Sequence, residues 1–274
     1  MTEEKPAIIR AVLVVKKKEY ITPHYIRVTL TGDDVPAFRD ATVGSNNKIF
    51  IPPPGIREVH MPVPDPVTGQ LFAPEPHLRP AIRTYTHRSI DIDRNEMVID
   101  FVAHGDNGPA SAWVNRAQEG DPLGVAMKVK AAPLFPKADW YLLAGDATGL
   151  PVLGAILERL PPCATGIAYI EVPGKADEQV LKTEAEIEIR WLHHPAPGEN
   201  TLLADAVCST VVPNGDTNTR FAYVAAEYTS VKTIRRFLRK EQGLQKEELY
   251  AFSYWKHGVS EEGSAGDRRQ ERQE

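Results

Sequence analysis

The hexapeptide RTYTHR, residues 83–88, combines side chains that bind anions and cover aromatic rings, a mixture that a hydrophobic core does not require. Side chains alternate between the two faces of a β-strand. The alternation places Arg83, Tyr85 and His87 on one face and Thr84, Thr86 and Arg88 on the other. Because a guanidinium binds phosphate and a phenol ring covers an aromatic ring, this strand is a candidate ligand site. The same residue types are equally typical of an exposed edge strand.

The segment HGDNGPASAWV, residues 104–114, follows one predicted strand later and has the pattern of a phosphate-binding loop. Gly105 and Gly108 allow the backbone to approach a ligand closely, and Pro109 suits the first position of a helix. Free backbone amide groups at that helix N-terminus would favour a phosphate. They belong to Ala110, Ser111 and Ala112. Capping of the helix by Asp106 or Asn107 is the alternative interpretation.

Two kinds of hydrophobic pattern position these segments, and they meet near residue 135. Before it, short segments rich in Val, Ile, Thr and aromatic residues alternate with turn signals. They read AIIRAVLVVKKKEY, YIRVTLTG, NKIFIPPP, AIRTYTHRSI and EMVIDFVAH. Within the last of them, alternation places Met97, Ile99 and Phe101 on one face. The pattern predicts an antiparallel barrel or sandwich, interrupted by a long proline-rich loop at residues 52–80.

After residue 135, strand and helix patterns alternate, which predicts a parallel sheet covered by helices. The predicted strands are WYLLAG, TGIAYIEV, IEIRWLHH, RFAYVAAE and ELYAFSYW, and the predicted helices are LPVLGAILERL, TLLADAVCST and SVKTIRRFLRKEQG. The last helix would bury Val231, Ile234, Phe237 and Leu238. We therefore predict domains at residues 8–135 and 136–258 and a disordered, charged tail at residues 259–274. The active site is expected in the cleft between the domains, at the carboxyl ends of the parallel strands.

The bulk composition is that of a soluble globular protein, with 42% hydrophobic and 25% charged residues among 274. The net charge of −5 gives no global attraction to nucleic acid, and no apolar run reaches the roughly 18 residues that span a membrane. Cys163 and Cys208 are isolated and the N-terminus lacks a signal-peptide pattern, so we expect free thiols, a cytoplasmic location and no stable membrane association. Because the histidines lack metal-ligand spacing, we predict surface positions for them and no protein-bound metal. They are His24, His60, His77, His193 and His194.

Five motifs in a shared order resemble the siderophore-interacting protein family of FAD-dependent ferric-siderophore reductases, in the ferredoxin-reductase superfamily. The motifs are R-x-Y-T-x-R, H-G-x-x-G-P-A-x-x-W, L-L-A-G-D-x-T-x-L-P, AAEYTSVKTIRRFLRK and SYWKHG, within about residues 8–258. The resemblance implies a ferredoxin-NADP reductase-like fold: an N-terminal antiparallel six-stranded FAD-binding β-barrel, then a C-terminal α/β domain with a mainly parallel sheet. It implies a monomer that uses FAD to pass electrons from NADH, NADPH or a ferredoxin-type donor to a ferric siderophore, releasing Fe(II).

The resemblance also implies which residues bind FAD. The strand that holds the flavin ring and a phosphate matches Arg83, Thr84, Tyr85 and Thr86. The loop and helix start that cradle the pyrophosphate and the adenosine side match His104, Gly105, Gly108, Pro109, Ala110, Ser111 and Trp113. Asp146 and Thr148 match the strand-end turn that closes over the cofactor, although Thr148 also fits a helix N-cap with Pro151 in the first turn.

Substrate and donor residues follow from the resemblance in the same way. Lys48 matches a basic substrate site, and Lys128 and Lys130 lie where the family has another cation, although the segment departs from the family's P-x-G-S-F-like pattern. Solvated surface lysines are the alternative. The electron-donor elements match Glu227, Trp255 and Lys256. Cations on the helix after Glu227 would favour a 2′-phosphate or are solvated; they are Lys232, Arg235, Arg236 and Arg239. No G-x-G-x-x-G follows WYLLAG, which argues against a tightly bound dinucleotide.

Two other functions fit the same residues. One is a related flavin or ferredoxin reductase with another electron acceptor, and the other is a siderophore-binding protein without redox activity. The first would prefer a protein acceptor to ferric chelates, whereas the second would bind a ferric siderophore and never oxidise a reduced flavin.

Overall fold

The structure, a computed structural model, describes residues 7–65, 67–106, 108–199, 201–215, 219–260, 263 and 266. The chain divides into two compact units, Met1–Leu134 and Phe135–Glu274, and each contains one main sheet. Most of the predicted disordered tail lies outside the described residues. No helix of the described part is long and apolar enough to cross a membrane.

The first unit is built on an antiparallel sheet. Its strands are β1 (Ala7–Thr22), β2 (Tyr25–Thr31), β3 (Asn46–Ile51), β6 (Ala81–Thr86), β7 (Ser89–Asp91), β8 (Glu96–Val102) and β9 (Pro122–Val129). Among the described residues of this unit there is one α-helix, α1 (Pro109–Arg116). The sheet order is β6-β3-β9-β1-β2-β8-β7. The antiparallel architecture is confirmed, with seven strands in place of the predicted six because the short β7 pairs with β8. Strand β9 was not among the predicted strands.

The core of this unit lies on one face of the sheet. Met97, Ile99 and Phe101 are fully buried there, as their alternation predicted. Helix α1 packs Trp113 and Val114 into the same cluster. Burial of alternate residues is the pattern of strands with one face on a hydrophobic core.

The proline-rich insert at residues 52–80 contains little regular structure in its described part. A two-residue hairpin, β4 (Val63–Pro64) with β5 (Leu71–Phe72), and a 3-10 turn at Pro76–Leu78 are its elements. The insert packs on β9 at Gly124, where an added Cβ would lie 2.9 Å from Val59 Cγ1 and 3.1 Å from Met61 Sδ. Glycine at this position therefore allows the insert to approach the sheet.

The second unit is a parallel sheet with helices, as predicted. Its strands are β10 (Trp140–Asp146), β11 (Thr165–Val172), β12 (Glu186–His193), β13 (Arg220–Glu227) and β14 (Leu249–Trp255), and its helices are α2 (Leu150–Leu157), α3 (Leu202–Cys208) and α4 (Tyr228–Arg236). The order β12-β11-β10-β13-β14 reverses direction at β10. The carboxyl ends of β10 and β13 therefore form a topological switch point, where ligands of such sheets bind.

Helix α4 illustrates how sequence pattern and packing agree. It continues into a π-helical turn at Phe237–Glu241. Its predicted apolar side is buried: Val231, Ile234, Phe237 and Leu238 all lie in the core of the second unit.

Candidate functional site

The predicted flavin strand is β6, and it ends at Thr86. Tyr85 packs on the core of the first unit, and Arg83 shares its face because alternate residues of a strand lie on one side. The ring centroid of Tyr85 lies 4.6 Å from that of Phe101, which lies 5.6 Å from that of Trp113. This row of rings fixes Tyr85 while the side chain stays half-buried, so part of the phenol remains accessible.

The two residues that follow β6 have structural contacts. Arg88 Nε lies 3.6 Å from Oδ2 of the buried Asp100. Arg27 donates to both oxygens of the same carboxylate, from Nε to Oδ1 at 2.7 Å and from Nη2 to Oδ2 at 2.8 Å. The hydroxyl of Tyr25 donates to the same carboxylate at 3.1 Å, and burial raises the pKa of Tyr25 well above its usual value, with Asp100 adding to the rise. His87 is fully buried. The backbone N–H of His87 donates to the carbonyl of Ser45 at 2.9 Å, so this bond and the contact of Arg88 with Asp100 hold the chain after β6 against the sheet.

The loop after β8 is held by a chain of two hydrogen bonds. The backbone N–H of His104 donates to Ser111 Oγ at 3.0 Å, and Ser111 Oγ donates to the carbonyl of Gly105 at 2.6 Å. Gly105 has φ 81°, and an added Cβ there would meet nothing within 4 Å, so the backbone faces open space. The buried Ser111 therefore shapes the loop, and at Gly105 the loop exposes its backbone.

The start of α1 tests one of the two side-chain caps that were the alternative interpretation. Gly108 is the N-cap residue and Pro109 opens the helix, with no capping side chain among the described residues. The Asp106 carboxylate instead accepts a hydrogen bond from Asn115 Nδ2 at 3.1 Å, so the Asp106 cap is wrong. The other predicted cap, Asn107, lies outside the described residues. Ala110 and Trp113 are buried on the core side of the helix.

Cations gather on the opposite face of the first sheet. Ala126 of β9 pairs with Lys48 on β3 and with Arg10 on β1, and Lys128 lies two residues further along β9 on the same face. Lys48 Nζ donates to Thr84 Oγ1 at 2.5 Å, which joins this basic face to β6. We call Arg10, Lys48 and Lys128 the basic face. Lys130 lies beyond the end of β9, where its carbonyl accepts from Thr42 Oγ1 at 3.0 Å.

The second unit brings together Asp146 and Trp255, which are 109 residues apart. Trp255 Nε1 donates to Asp146 Oδ2 at 2.6 Å, and Asp146 Oδ1 accepts from the backbone N–H and the hydroxyl of Thr148 at 2.8 and 2.6 Å. Burial raises the pKa of Asp146, and the hydrogen bonds from Thr148 and Trp255 oppose the rise. The interpretation of Thr148 as an N-cap is wrong, because α2 begins after Gly149 and the Thr148 hydroxyl donates to Asp146.

A second buried carboxylate, Glu171, lies beside Asp146 in the register of β10 and β11. Burial raises the pKa of Glu171, the negative charge of Asp146 raises it further, and His194 opposes the rise. His194 Nδ1 is 3.4 Å from Glu171 Oε1. The predicted surface position of His194 is therefore wrong: the residue is 4% exposed, and its backbone N–H continues the ladder by donating to Val172 of β11 at 2.9 Å. The strand-end position of Glu171 in TGIAYIEV was a signal that the sequence already contained.

Glu227 ends β13, and its carboxylate caps α4 by accepting from the N–H groups of Thr229 and Ser230. Its other oxygen accepts from the backbone N–H of His257 at 3.2 Å, so this buried carboxylate holds the chain after β14 in place. Lys256 Nζ lies 4.6 Å from the ring centroid of Tyr228. The three residues predicted to face the electron donor, Glu227, Trp255 and Lys256, thus lie together at the carboxyl edge of the sheet.

The cations of α4 have different surroundings. Arg235 Nη2 donates to the carbonyl of Ala251 at 2.6 Å and is half-buried, which is a structural contact. The other three cations are exposed: Lys232, Arg236 and Arg239.

The described part of the chain contains no group of three or more His, Cys, Asp or Glu residues placed to hold a metal ion, and both cysteines are free. His24, His77 and His193 are exposed and His60 is half-buried. An open cleft of ≈ 350 Å³ lies in the second unit between β11, β12 and the end of α3, with Trp140, Tyr169 and Arg190 in its lining.

Comparison with known proteins identifies one known domain in each of the two units. Residues 14–128 match the siderophore-interacting FAD-binding domain and residues 138–258 match the siderophore-interacting protein domain. The chain is 34% identical over 262 residues to the ferric vibriobactin reductase ViuB of Vibrio cholerae, covering 96% of this chain and 95% of that one. The NADPH-dependent ferric-chelate reductase of Escherichia coli is 29% identical over 246 residues, with 89% and 91% covered.

Solved structures show the same relationship. A siderophore utilization protein from T. fusca superposes with TM-score 0.83 and 34% identity over 93% of this chain and 96% of that chain. The ferredoxin reductase of carbazole 1,9a-dioxygenase shares the fold at TM-score 0.64 and 14% identity, over 91% of this chain and 69% of that chain. The fold is therefore ferredoxin reductase-like. With both of its domains matched, the chain belongs to the siderophore-interacting protein family.

Proposed function

We propose that this chain is an FAD-dependent ferric-siderophore reductase. The observation that carries the proposal is its similarity, over 96% of its length, to a ferric vibriobactin reductase. The first unit would bind FAD and the second would receive the electron donor, NADH or NADPH. When bound, FAD accepts two electrons from a nicotinamide and passes them on singly, which suits Fe(III). The products are Fe(II) and the free siderophore.

The residues of the first unit fit FAD. At Gly105 the backbone faces open space, and no described side chain caps the neighbouring helix α1, so its first amide groups suit a pyrophosphate. Tyr85 presents an accessible part of a ring that Phe101 supports from behind, as a flavin contact needs. Arg83 shares the Tyr85 face and supplies the positive charge for a phosphate. Trp113 contributes by supporting Phe101.

The variant Arg83→Ala tests the assignment of Arg83 to the FAD site. Arg83→Ala should lower the FAD content of the purified yellow protein and weaken FAD rebinding to the apoprotein. Arg94→Ala is the matched control, because Arg94 is an exposed arginine of the same unit, in the turn between β7 and β8. Equal flavin retention in the two variants would remove Arg83 from the site.

We further propose that the basic face binds the negatively charged ferric siderophore. Lys48 and Lys128 share that face with Arg10, and Lys48 contacts Thr84 of the flavin strand, whereas Lys130 lies beyond the strand. A cluster of cations raises the local concentration of an anionic ligand. Arg10 was not a predicted site residue, because only the pairing of β1 with β9 places it beside Lys48.

The test compares kinetics with an anionic and a neutral ferric chelate. Lys48→Ala should raise KM for the anionic chelate by about tenfold, in line with a charge-assisted contact worth about 1.5 kcal/mol, and leave kcat nearly unchanged. Lys182→Ala changes an exposed lysine of the second unit and is the control. An equal KM for Lys48→Ala and the control would place the substrate elsewhere.

The electron donor is proposed to meet the carboxyl edge of the second sheet, where Trp255 and Lys256 lie beside the buried Asp146 and Glu227. An anaerobic assay of NADH, NADPH and a reduced ferredoxin, with Fe(II) trapped by a chromogenic chelator, identifies the donor. Lys256→Ala should raise KM for a nicotinamide donor. We propose a cytoplasmic location, consistent with two free cysteines. Failure of every donor to yield Fe(II) would refute the proposed function.

A further inference from the structure

Strand β12 is an edge of the second sheet and is unusually open for an edge strand. Its sequence is EIEIRWLH, and in the described part of the chain its one strand partner is β11. Natural edge strands are protected by proline, by a bulge or by charged side chains, lysine above all. Strand β12 has no proline, lysine or bulge in Glu186–His193 and its ladder with β11 is regular, and its charged residues, Glu186, Glu188 and Arg190, are of both signs. An open edge of this kind is a template for another strand.

The direction of the backbone groups shows which residues are available. The N–H groups of Glu186 and His194 both donate toward β11, to Ala164 and Val172. Because backbone groups alternate along a strand, the even-numbered residues between them also face β11, and the odd-numbered residues face outward. Of these outward groups, the N–H of Ile187 donates to the carbonyl of Ala185 at 3.0 Å and would have to exchange that bond for one to a second strand. Ile189 therefore presents both its N–H and its C=O at the free edge, close to the middle of the strand.

We propose that β12 pairs with β12 of a second copy of this chain, antiparallel and about a two-fold axis at Ile189. At the axis, Ile189 would exchange both backbone hydrogen bonds with the Ile189 of the other copy. Two residues from the axis, Ile187 of each copy would lie opposite Trp191 of the other. The two strands would then pair along residues 186–192 in one continuous antiparallel ladder, and each copy would contribute the same surface, as an isologous dimer requires.

The charges of β12 select this register over its neighbours. With the axis at Ile189, Glu188 of each copy lies opposite Arg190 of the other, in the closely spaced type of cross-strand pair. An axis at residue 188 would set Glu188 against Glu188, and an axis at residue 190 would set Arg190 against Arg190. Like charges directly opposite are destabilising, so the two nearest alternatives are disfavoured.

Both side chains can reach a second strand. Glu188 and Arg190 are 59% and 51% exposed and pair with each other on their own strand, Nε to Oε1 at 2.8 Å. In the dimer, Glu188 and Arg190 would each exchange this partner for the oppositely charged side chain of the other copy, so the number of ion pairs would be unchanged. On the other face, Ile187, Ile189 and Trp191 are half-buried and would form one apolar row with their counterparts. The dimer would replace the monomer that the sequence led us to expect.

Charge reversal tests both the surface and the register. The wild-type holoprotein, Glu188→Arg, Arg190→Glu and the double variant are followed by sedimentation velocity over increasing concentration. We expect a wild-type dimer and an at least tenfold higher dissociation constant for each single variant, because like charges then oppose each other twice. The double variant should dimerise like the wild type. An equimolar mixture of the two single variants should form a mixed dimer, since two cations on one copy then face two anions on the other.

These outcomes separate the interface from general damage to the fold. Ferric-chelate reduction and FAD content should match the wild type in every variant, because neither residue belongs to the proposed site. A wild-type protein that is monomeric up to about 1 mM, at the weak end of measurable affinities, would overturn the proposal. So would a dimer that the single variants leave intact, a mixture that fails to restore dimers, or assemblies larger than dimers.

Discussion

The hydrogen bond from Trp255 to Asp146 makes a pH-dependent prediction for Trp255→Phe. The carboxylate is buried and accepts from the indole N–H at 2.6 Å. Phenylalanine keeps an aromatic ring and removes this donor. A hydrogen bond to a charged group contributes about 1.5–3 kcal/mol, so the free energy of unfolding should fall by about that amount at neutral pH.

The sign of the pH dependence follows from the raised pKa of Asp146. Burial lifts this pKa above its ordinary value of 3.8, so the stability associated with Asp146 is fully present below that value and is lost as pH rises through the folded-state pKa. Trp255 favours the ionised form, so its removal raises the pKa further. The loss in Trp255→Phe should therefore be small near pH 4 and grow toward neutral pH.

The assay is urea unfolding of the holoprotein at several pH values, followed by far-UV circular dichroism. Trp140→Phe is the matched control, because Trp140 is half-buried and begins the same strand that Asp146 ends. Its loss of stability should not vary with pH. Parallel pH profiles for the two variants, or unchanged stability of Trp255→Phe at neutral pH, would refute the reasoning.

Three further changes have outcomes that the structure defines. Asp100→Asn should lower the free energy of unfolding by about 3–5 kcal/mol, because it removes the buried carboxylate that Arg27 and Arg88 contact. Asp93→Asn, at an exposed position, is the control, and equal urea midpoints for the two variants would contradict the prediction. Gly124→Ala should cost about 1–3 kcal/mol by thermal unfolding, since the new Cβ would lie 2.8 Å from a side chain, while Gly174→Ala meets nothing within 4 Å and should be neutral. Glu171→Gln should flatten the fall in stability toward alkaline pH, by on the order of 1 kcal/mol, because the raised pKa of Glu171 is removed; an unchanged slope would count against it.

Local pattern was sufficient wherever one face of an element is buried. The alternation of Met97, Ile99 and Phe101 and the helical spacing of the apolar side of α4 predicted the buried faces that the structure shows. Burial leaves a periodic mark on sequence, because each element has one fixed repeat. The first sheet has seven strands where six were expected, and its additional strand β7 has three residues, too few for a periodic signal.

Polar side chains were harder to place, because their partners are distant in sequence. His194 was predicted at the surface because it lacks metal-ligand spacing, yet it is buried against Glu171 on a neighbouring strand. Thr148 fitted an N-cap by position, but its hydroxyl donates a hydrogen bond to the carboxylate of Asp146, two residues earlier. The contact of Arg88 with Asp100 required the pairing of β8 with its neighbours.

The sequence by itself determined the two kinds of architecture, the family resemblance and the order of the motifs, because hydrophobic period and short motifs are local properties of the chain. Only the tertiary structure decided that Arg10 joins Lys48 on one face, that Trp255 reaches Asp146, and that β12 is an open edge. Each depends on which strands are neighbours, and strand order is a property of the whole chain that no single segment encodes.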